Sequence, residues 1–183
     1  MKTLTLEKLS SPIGRILVIT DDQTLYGVEF EGYEARTYKF LAKRFGDYQL
    51  NIYQNSTKIS QHIQAYLEGD YHSLDQIPVS TSGTAFQQQV WTALRQIPVG
   101  TVMTYGELAR QLNKPAAARA VGITNSLNPI SIVLPCHRVI GANGTLTGYA
   151  GGLERKRWLL QHEGWQPDQQ LNLLTQSVNA LTR

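Results

Sequence analysis

The feature that most constrains this chain is its single cysteine, Cys136, which is followed directly by a histidine. An apolar run at 130–134, interrupted by one serine, precedes it and predicts a buried strand that delivers the thiol to a site. Glycine-rich sequence follows at 141–144 and 148–152, where small residues would let backbone N–H groups approach a group at the sulfur. One cysteine forms neither an internal disulfide nor a cysteine-based metal site, so the chain depends on an apolar core and suits a reducing compartment.

Length and charge limit the class of protein further. The 183 residues, 42% of them hydrophobic, are enough for one domain or two small ones with a packed core. No apolar stretch approaches membrane-spanning length, and the N-terminal sequence lacks the core of a signal peptide. Residues 1–83 carry eight Lys and Arg against ten Asp and Glu, whereas residues 84–165 carry eight against three. The basic second segment favours a polyanionic partner.

Hydrophobic periodicity predicts an α/β (α+β) fold made of two unequal units. In residues 1–80, apolar runs separated by turn residues predict a small antiparallel sheet, with helices at 34–45 and 56–67. This N-terminal α/β domain contains no cluster of catalytic residue types, which indicates a supporting role.

Residues 84–165 predict a mostly helical domain that contains the cysteine. Capping-box spacing at Thr84 and Thr104 predicts that a helix begins at each, and a further helix is predicted at 153–162. Residues 166–183 have the spacing of a short amphipathic tail helix, to which no chemistry can be assigned.

Two short helices are predicted on either side of a turn at 113–115. The first ends at Leu112, and the second runs from Ala116 to about Asn125, is rich in small residues and carries Arg119. This arrangement is typical of a helix-turn-helix, although an ordinary helical hairpin has the same pattern. The positive charge of the segment favours the helix-turn-helix.

Cys136 is a candidate nucleophile. A free thiol, with a pKa near ~8.5, needs a base or a positive field to react at neutral pH. His137 and Glu163 are the candidate base and orienting acid of a Cys-His-acid arrangement. Neighbours on an extended strand point to opposite faces, so either the chain turns at 136–137 or a water bridges the pair. A buried structural cysteine is the alternative.

The sequence Pro-Cys-His-Arg-Val at 135–139, with Asn-Pro at 128–129 and Tyr-x-Gly-Gly at 149–152, resembles the O6-alkylguanine-DNA alkyltransferase family. The resemblance covers about residues 84–165. It implies a DNA repair enzyme that flips a damaged nucleotide out of double-stranded DNA and moves an alkyl group from guanine O6, and also from thymine O4, to its own cysteine. The thioether so formed has no carbonyl for water to attack, so each molecule would act once.

The resemblance also implies roles for single side chains. Arg119 would fill the gap left by the flipped base, with a phosphate contact or a surface ion pair as the alternative. Tyr105 would donate toward the departing guanine, unless it is a core aromatic residue. Asn128 would tie the second helix to the cysteine segment, or form an ordinary turn before proline. A water would join His137 to Cys136, with Glu163 holding the imidazole.

The substrate pocket and the DNA contacts follow from the same resemblance. The carbonyls of Cys136 and Val139 would accept hydrogen bonds from the guanine amino group, and the N–H of Ala150 would donate to O6. Tyr149 would form one side of the pocket, against the alkyl group. Phosphate contacts are expected from the exposed cations of this domain, with ordinary solvated charges as the alternative: Lys114, Arg110 and the run 155–157. Ser126 stands where some relatives carry a basic residue, and for Arg138 an ion pair with the N-terminal domain is expected.

Partners and rivals complete the sequence-based hypothesis. No cofactor is predicted, and no metal, because the structural zinc of some relatives needs cysteines before position 136. A monomer bound to double-stranded DNA with O6-alkylguanine is expected, in the cytoplasm with the nucleoid of a prokaryote or in a eukaryotic nucleus. The rivals are a thiol hydrolase that uses Cys136, His137 and Glu163, and a non-enzymatic helix-turn-helix regulator. Relatives that bind alkylated DNA without repairing it replace the cysteine, which this chain keeps.

Overall fold

A computed structural model describes residues 1–54 and 56–166. It confirms the predicted fold class, a small α/β unit followed by a mostly helical part. The tail helix predicted at 166–183 falls, from residue 167 onward, outside the described residues. No helix among the described residues is long and apolar enough to cross a membrane.

The N-terminal part contains a four-stranded sheet in the order β3-β2-β1-β4. The strands are β1 (Lys2–Leu9), β2 (Ile16–Thr20), β3 (Leu25–Phe30) and β4 (Tyr48–Ile52). The first three pair antiparallel, as predicted, whereas β4 pairs in parallel with β1. The sequence prediction missed β4 because it is a short edge strand whose side chains are half-buried or exposed, which weakens the hydrophobic pattern.

Helices cover both faces of this sheet. Helix α1 (Ala35–Phe45) connects β3 to β4, and α2 (Lys58–Leu67) follows β4. Successive residues of a strand point to opposite faces, and β2 divides accordingly: Leu17 and Ile19 pack with α1, whereas Ile16 and Val18 belong to the main core. The main core also contains α2 and the buried faces of the C-terminal helices, so one continuous core joins the two halves of the chain.

The C-terminal part contains, as far as residue 166, four α-helices and a two-stranded parallel pair. The helices are α3 (Ala85–Leu94), α4 (Tyr105–Gln111), α5 (Ala118–Ser126) and α6 (Leu153–His162); the strands are β5 (Met103–Thr104) and β6 (Val139–Ile140). Both predicted capping boxes are present, because the Thr84 and Thr104 side chains each accept from the backbone three residues on. Helices α4 and α5 flank a single 3-10 turn, Pro115–Ala117, and pack against each other.

The run at 130–134 is not a strand, which corrects the sequence prediction. Ile130 makes a single parallel bridge with Val28 of β3, after which the chain turns repeatedly and Ile132 adopts a positive φ of 72°. Asn128 stabilises these turns, because its Nδ2 donates to the carbonyl of Leu134 and its Oδ1 accepts from the N–H of Ile130. A buried apolar run has the same composition whether it is extended or coiled, so the pattern could not decide between the two.

Candidate active site

Cys136 begins a 3-10 turn, Cys136–Arg138, and is only 4% exposed. A 3-10 turn has three residues per turn, so neighbouring side chains diverge by about 120° instead of pointing to opposite faces as in a strand. The chain therefore turns at 136–137, but within the described residues His137 Nδ1 makes no hydrogen bond to Cys136.

His137 is fully buried and is held by Glu163, the residue that follows the last turn of α6. His137 Nε2 lies 2.9 Å from Glu163 Oε1. Because an ionised carboxylate only accepts hydrogen bonds, this contact assigns the proton of a neutral ring to Nε2 and a lone pair to Nδ1. Within the described residues, Nδ1 has no hydrogen-bond partner.

The pKa shifts define the resting protonation of the pair. Burial lowers the pKa of His137, against the opposing effect of the Glu163 charge. Burial raises the pKa of Cys136, against the opposing effect of nearby positive charges. At neutral pH the pair is therefore a thiol and a neutral imidazole. Such an imidazole can accept the thiol proton, and Glu163 would stabilise the imidazolium that forms.

Arg138 belongs to the same network, which corrects the expected ion pair with the N-terminal domain. Its Nε and Nη2 donate to the two carboxylate oxygens of Glu163, each at 2.8 Å, and its Nη1 donates to the carbonyl of Ile97. Burial alone would raise the pKa of Glu163, but His137 and Arg138 together lower it well below its usual range. Glu163 is therefore an ionised acceptor that fixes both residues after the cysteine.

A second asparagine, Asn125, supports the cysteine segment and was missed by the sequence prediction. Its Nδ2 donates to the carbonyl of Cys136 at 3.1 Å, so this carbonyl, expected to accept from guanine, already has a partner in the protein. The available signal was its position four residues after the buried Val121, on the inward face of α5. Asn125 and Asn128 thus join the end of α5 to both sides of the turns before Cys136.

Tyr105 lies at the start of α4 and packs on α5, where a Cβ added to Gly122 would lie 3.7 Å from its ring. Its hydroxyl donates to the carbonyl of Thr147 at 3.4 Å. Burial raises the pKa of Tyr105, with hydrogen bonds to Thr147 and Asn125 opposing the shift. The hydroxyl is therefore a protonated donor beside the loop that follows the cysteine.

The residues that the sequence predicts to contact DNA lie on the exposed side of α4 and α5 or in the turn between them. Lys114, Arg119 and Ser126 are all exposed. Arg119 makes no hydrogen bond or ion pair with another described residue, so the surface ion pair considered for it is not present in this part of the chain. The carbonyl of Ser126 accepts from Arg36, so the end of α5 is tied to the N-terminal helix α1.

The glycine-rich loop rests on the N-terminal sheet. Tyr149 meets Phe30 of β3 edge to face, with ring centroids 6.3 Å apart. A Cβ at Gly151 would lie 2.5 Å from the Phe30 ring, so only glycine allows this approach. Ala150 is half-buried between them, and Val139, at the other end of the loop, is fully buried.

Lys156 is not part of a solvated run of charge, which corrects the phosphate contact considered for this one member of the run 155–157. It is fully buried, and its Nζ donates to the carbonyls of Val139 at 2.6 Å and Thr147 at 2.8 Å. These carbonyls stand at the two ends of the loop, so one ammonium group closes it. Burial lowers the pKa of Lys156 to about 8. The Val139 carbonyl, which is expected to accept from guanine, therefore already accepts a hydrogen bond from Lys156.

We expect Lys156→Met to lower the reaction rate at this site strongly and to lower the stability of the fold only weakly. Methionine fills a similar volume but donates no hydrogen bond to the carbonyls of Val139 and Thr147, so the contact that closes the loop is lost. A displacement of about 1 Å at a reacting group can cost roughly a hundredfold in rate. Single-turnover rates and hydrogen exchange of the loop amides measure the effect, with the exposed Arg157→Met on the same helix as control. An unchanged rate, or equal loss in both variants, contradicts this role.

Among the described residues, no group of three or more His, Cys, Asp or Glu side chains lies close enough to hold a metal ion. The geometry instead combines a buried thiol, a neutral imidazole fixed by a carboxylate, and a pair of helices with an exposed arginine. These features define a protein with a candidate Cys-His-acid site beside two short helices that pack across a turn, the arrangement predicted for a helix-turn-helix.

Comparisons with known proteins agree over most of the chain. Residues 4–81 match the family model described as "6-O-methylguanine DNA methyltransferase, ribonuclease-like domain", and residues 85–165 match that family's "DNA binding domain". A protein of Shigella flexneri named "Methylated-DNA--protein-cysteine methyltransferase" is 49% identical over 168 residues, which are 90% of this chain and 98% of that protein.

Solved structures show the same likeness. The O6-methylguanine methyltransferase of Mycobacterium tuberculosis is 37% identical, with a TM-score of 0.70 over 87% of this chain and 92% of that one. A structure of the same organism's protein in complex with DNA is 36% identical, with a TM-score of 0.69 and the same coverage. The chain therefore belongs to the family of methylated-DNA–protein-cysteine methyltransferases, which are enzymes of DNA repair.

Proposed function

We propose that this protein repairs double-stranded DNA by moving an alkyl group from O6 of guanine, and from O4 of thymine, to Cys136. The observation that carries the proposal is the hydrogen bond between His137 and Glu163. It fixes the ring of a neutral base in the residue that directly follows the chain's single thiol. Family membership supports the class of reaction, and the residues of this site supply the individual steps.

The transfer step balances without a cofactor. The thiol proton passes through a water to His137 Nδ1, and the sulfur forms a bond to the alkyl carbon as the bond from that carbon to O6 breaks. The departing guanine takes a proton, for which the Tyr105 hydroxyl is the candidate donor. The proton held by the imidazolium then returns through solvent to the Tyr105 oxygen, so the thiol proton is balanced by the proton on guanine and both side chains regain their starting states. Glu163 compensates the transient positive charge of the imidazolium. The product is a thioether on Cys136, so each molecule reacts once.

The burial of Cys136 supports nucleotide flipping. Because Cys136 is only 4% exposed, its sulfur cannot reach an alkyl carbon that is still stacked inside a duplex. Removing the nucleotide from the stack costs a few kcal/mol, and less for a lesion that pairs badly. We assign Arg119, exposed on α5, to the gap left in the duplex, because a guanidinium can both stack and donate several hydrogen bonds there.

DNA contacts are proposed on the outer side of α4 and α5, with Lys114 on phosphate. A relative from Mycobacterium tuberculosis has been solved in complex with DNA, which supports DNA as the partner of this chain. The basic balance of residues 84–165 agrees with a polyanion on this side. Binding of this type weakens steeply as salt rises.

Intact-mass spectrometry after incubation with a duplex that contains O6-methylguanine tests the proposed function. We expect the protein to gain one methylene equivalent, located on the Cys136 peptide, in a single burst with one equivalent per molecule. The same duplex with unmodified guanine is the control and leaves the mass unchanged. A mass that does not change with the damaged duplex contradicts the proposal. Repeated turnover on an ester or amide would instead support the thiol hydrolase.

A further inference from the structure

A tyrosine of the N-terminal domain reaches into the active-site network. Tyr66, on α2, is fully buried, and its hydroxyl donates to Glu163 Oε1 at 2.7 Å. The two residues are 97 positions apart in the chain, so the contact forms only when both halves are folded together. Nothing in the sequence pattern distinguished this tyrosine from the other aromatic residues of the core.

The contact is made to the oxygen of Glu163 that holds the imidazole. Oε1 accepts from Tyr66, from His137 Nε2 at 2.9 Å and from Arg138 Nη2 at 2.8 Å. A carboxylate oxygen offers two lone-pair directions, so three donors share it and the strength of each contact depends on the other two. The hydroxyl therefore affects how tightly the carboxylate holds the ring.

The backbone around Tyr66 shows that this position is fixed. His162, next to Glu163, directs its Nε2 to the carbonyl of Tyr66 at 2.8 Å. The Tyr71 hydroxyl donates to the carbonyl of His162, and the rings of Tyr66, Tyr71 and His162 meet edge to face. The end of α6 is thus held against α2 and the 3-10 turn after it, with the Tyr66 hydroxyl directed at the carboxylate.

We infer that Tyr66 is a positioning residue for alkyl transfer: its hydroxyl orients Glu163, which in turn holds the His137 ring that takes the proton of Cys136. The inference rests on the proposed function for its effect on rate. Its effect on the imidazole is independent of any substrate. The N-terminal domain would then contribute to the chemistry as well as to the fold.

The conservative variant Tyr66→Phe removes one hydroxyl and keeps the ring in the core. Without that donor, Glu163 Oε1 carries more unshared negative charge toward His137, so the imidazolium is favoured and the pKa of His137 rises. Because the base must be neutral to accept the thiol proton, the acidic limb of the rate profile moves to higher pH. We expect an upward shift of about half a pH unit and a rate that falls by roughly tenfold.

Tyr71→Phe is the matched control. It also removes a tyrosine hydroxyl that bonds to the end of α6, here from a half-buried residue, but that hydroxyl contacts a backbone carbonyl and not the carboxylate. Both variants are expected to lose similar stability, whereas only Tyr66→Phe should change the pH profile. If Tyr66 acts through Glu163, Tyr66→Phe should cause no further loss of rate when it is added to Glu163→Gln.

The closing experiment combines single-turnover rates between pH 5 and 9 (roughly the range in which His titrates) with an NMR titration of the His137 ring in DNA-free protein. The inference is supported if the pKa of His137 rises in Tyr66→Phe and stays unchanged in Tyr71→Phe. Because this measurement needs no substrate, it tests the inference separately from the proposed function. Equal His137 pKa values in wild type and Tyr66→Phe overturn it. In wild-type protein a hydroxyl proton of Tyr66 protected from exchange is expected, and a freely exchanging one also overturns it.

Discussion

Replacing Cys136 with alanine is expected to abolish alkyl transfer while DNA affinity stays close to that of the wild type. The chain has no other thiol, so no second sulfur can take over the bond to carbon. Cys136 is buried, whereas the surface proposed for DNA lies on the exposed side of α4 and α5. Loss of one buried sulfur leaves a small cavity, for which we expect a destabilisation on the order of 1 kcal/mol.

Three measurements on Cys136→Ala check this expectation: intact mass after incubation with O6-methylguanine duplex, duplex affinity at fixed salt, and the free energy of unfolding. Cys136→Ser is the matched variant, since it keeps a polar atom at the site but replaces the thiol by a far less acidic hydroxyl. Alkylation that persists in Cys136→Ala would identify another acceptor, whereas Cys136→Ser should be alkylated far more slowly than wild type. Loss of DNA binding together with transfer would show that the cysteine segment shapes the DNA surface.

The parts of the fold that the sequence predicted are those fixed by local chemistry. Thr84 and Thr104 have capping partners three residues away, so each helix start depends on a few adjacent residues. Helix α6 begins and ends where the pattern predicts, at 153 and 162. Its C-terminal side is followed by Gly164 with a φ of 86°, a backbone conformation that few other residues tolerate.

The features that the sequence could not predict depend on contacts between distant segments. The run at 130–134 forms turns because the Asn128 side chain hydrogen-bonds to its backbone N–H and C=O groups. Hydrophobic periodicity gives no sign of those bonds. Lys156 stands between two other cations in the chain, and only the fold shows that it is buried against the carbonyls of Val139 and Thr147. Arg138 was assigned to the wrong partner for the same reason, because Glu163 meets it only after α6 has docked.

The candidate site was predictable where residue type and adjacency suffice. Cys136 and His137 are neighbours, and Glu163 is the acidic residue that pairs with the imidazole as proposed from sequence. The roles of Tyr105, Arg119 and Asn128 in the reaction stay predictions, since they concern a substrate. The sequence did not identify Tyr66 as part of the site, because the pattern of a core aromatic residue does not indicate what its hydroxyl contacts.

Glu163→Gln is expected to produce the largest loss of stability of any single isosteric change in this network. Glutamine keeps the shape but removes the charge that two buried side chains, His137 and Arg138, share. Breaking a buried ion pair by removing one partner typically costs about 3–5 kcal/mol, because the remaining charge stays buried and uncompensated. Alkyl transfer should also slow by roughly 10²–10⁴-fold, since the imidazolium loses its carboxylate.

The pH dependence of that loss provides its control. The folded state holds the pKa of Glu163 well below the ordinary glutamate value of 4.5, so the stability that its charge contributes is present above that value and is lost as pH falls through the folded pKa. The free energies of unfolding of wild type and Glu163→Gln should therefore differ most at neutral pH and converge in acid. Glu154→Gln, which removes an exposed partner of Arg157 on the same helix, should have little effect at any pH. A Glu163→Gln variant as stable as wild type at pH 7 would mean that the carboxylate does not hold the Arg138 guanidinium and the His137 ring, and the proposed base would lose its orienting group.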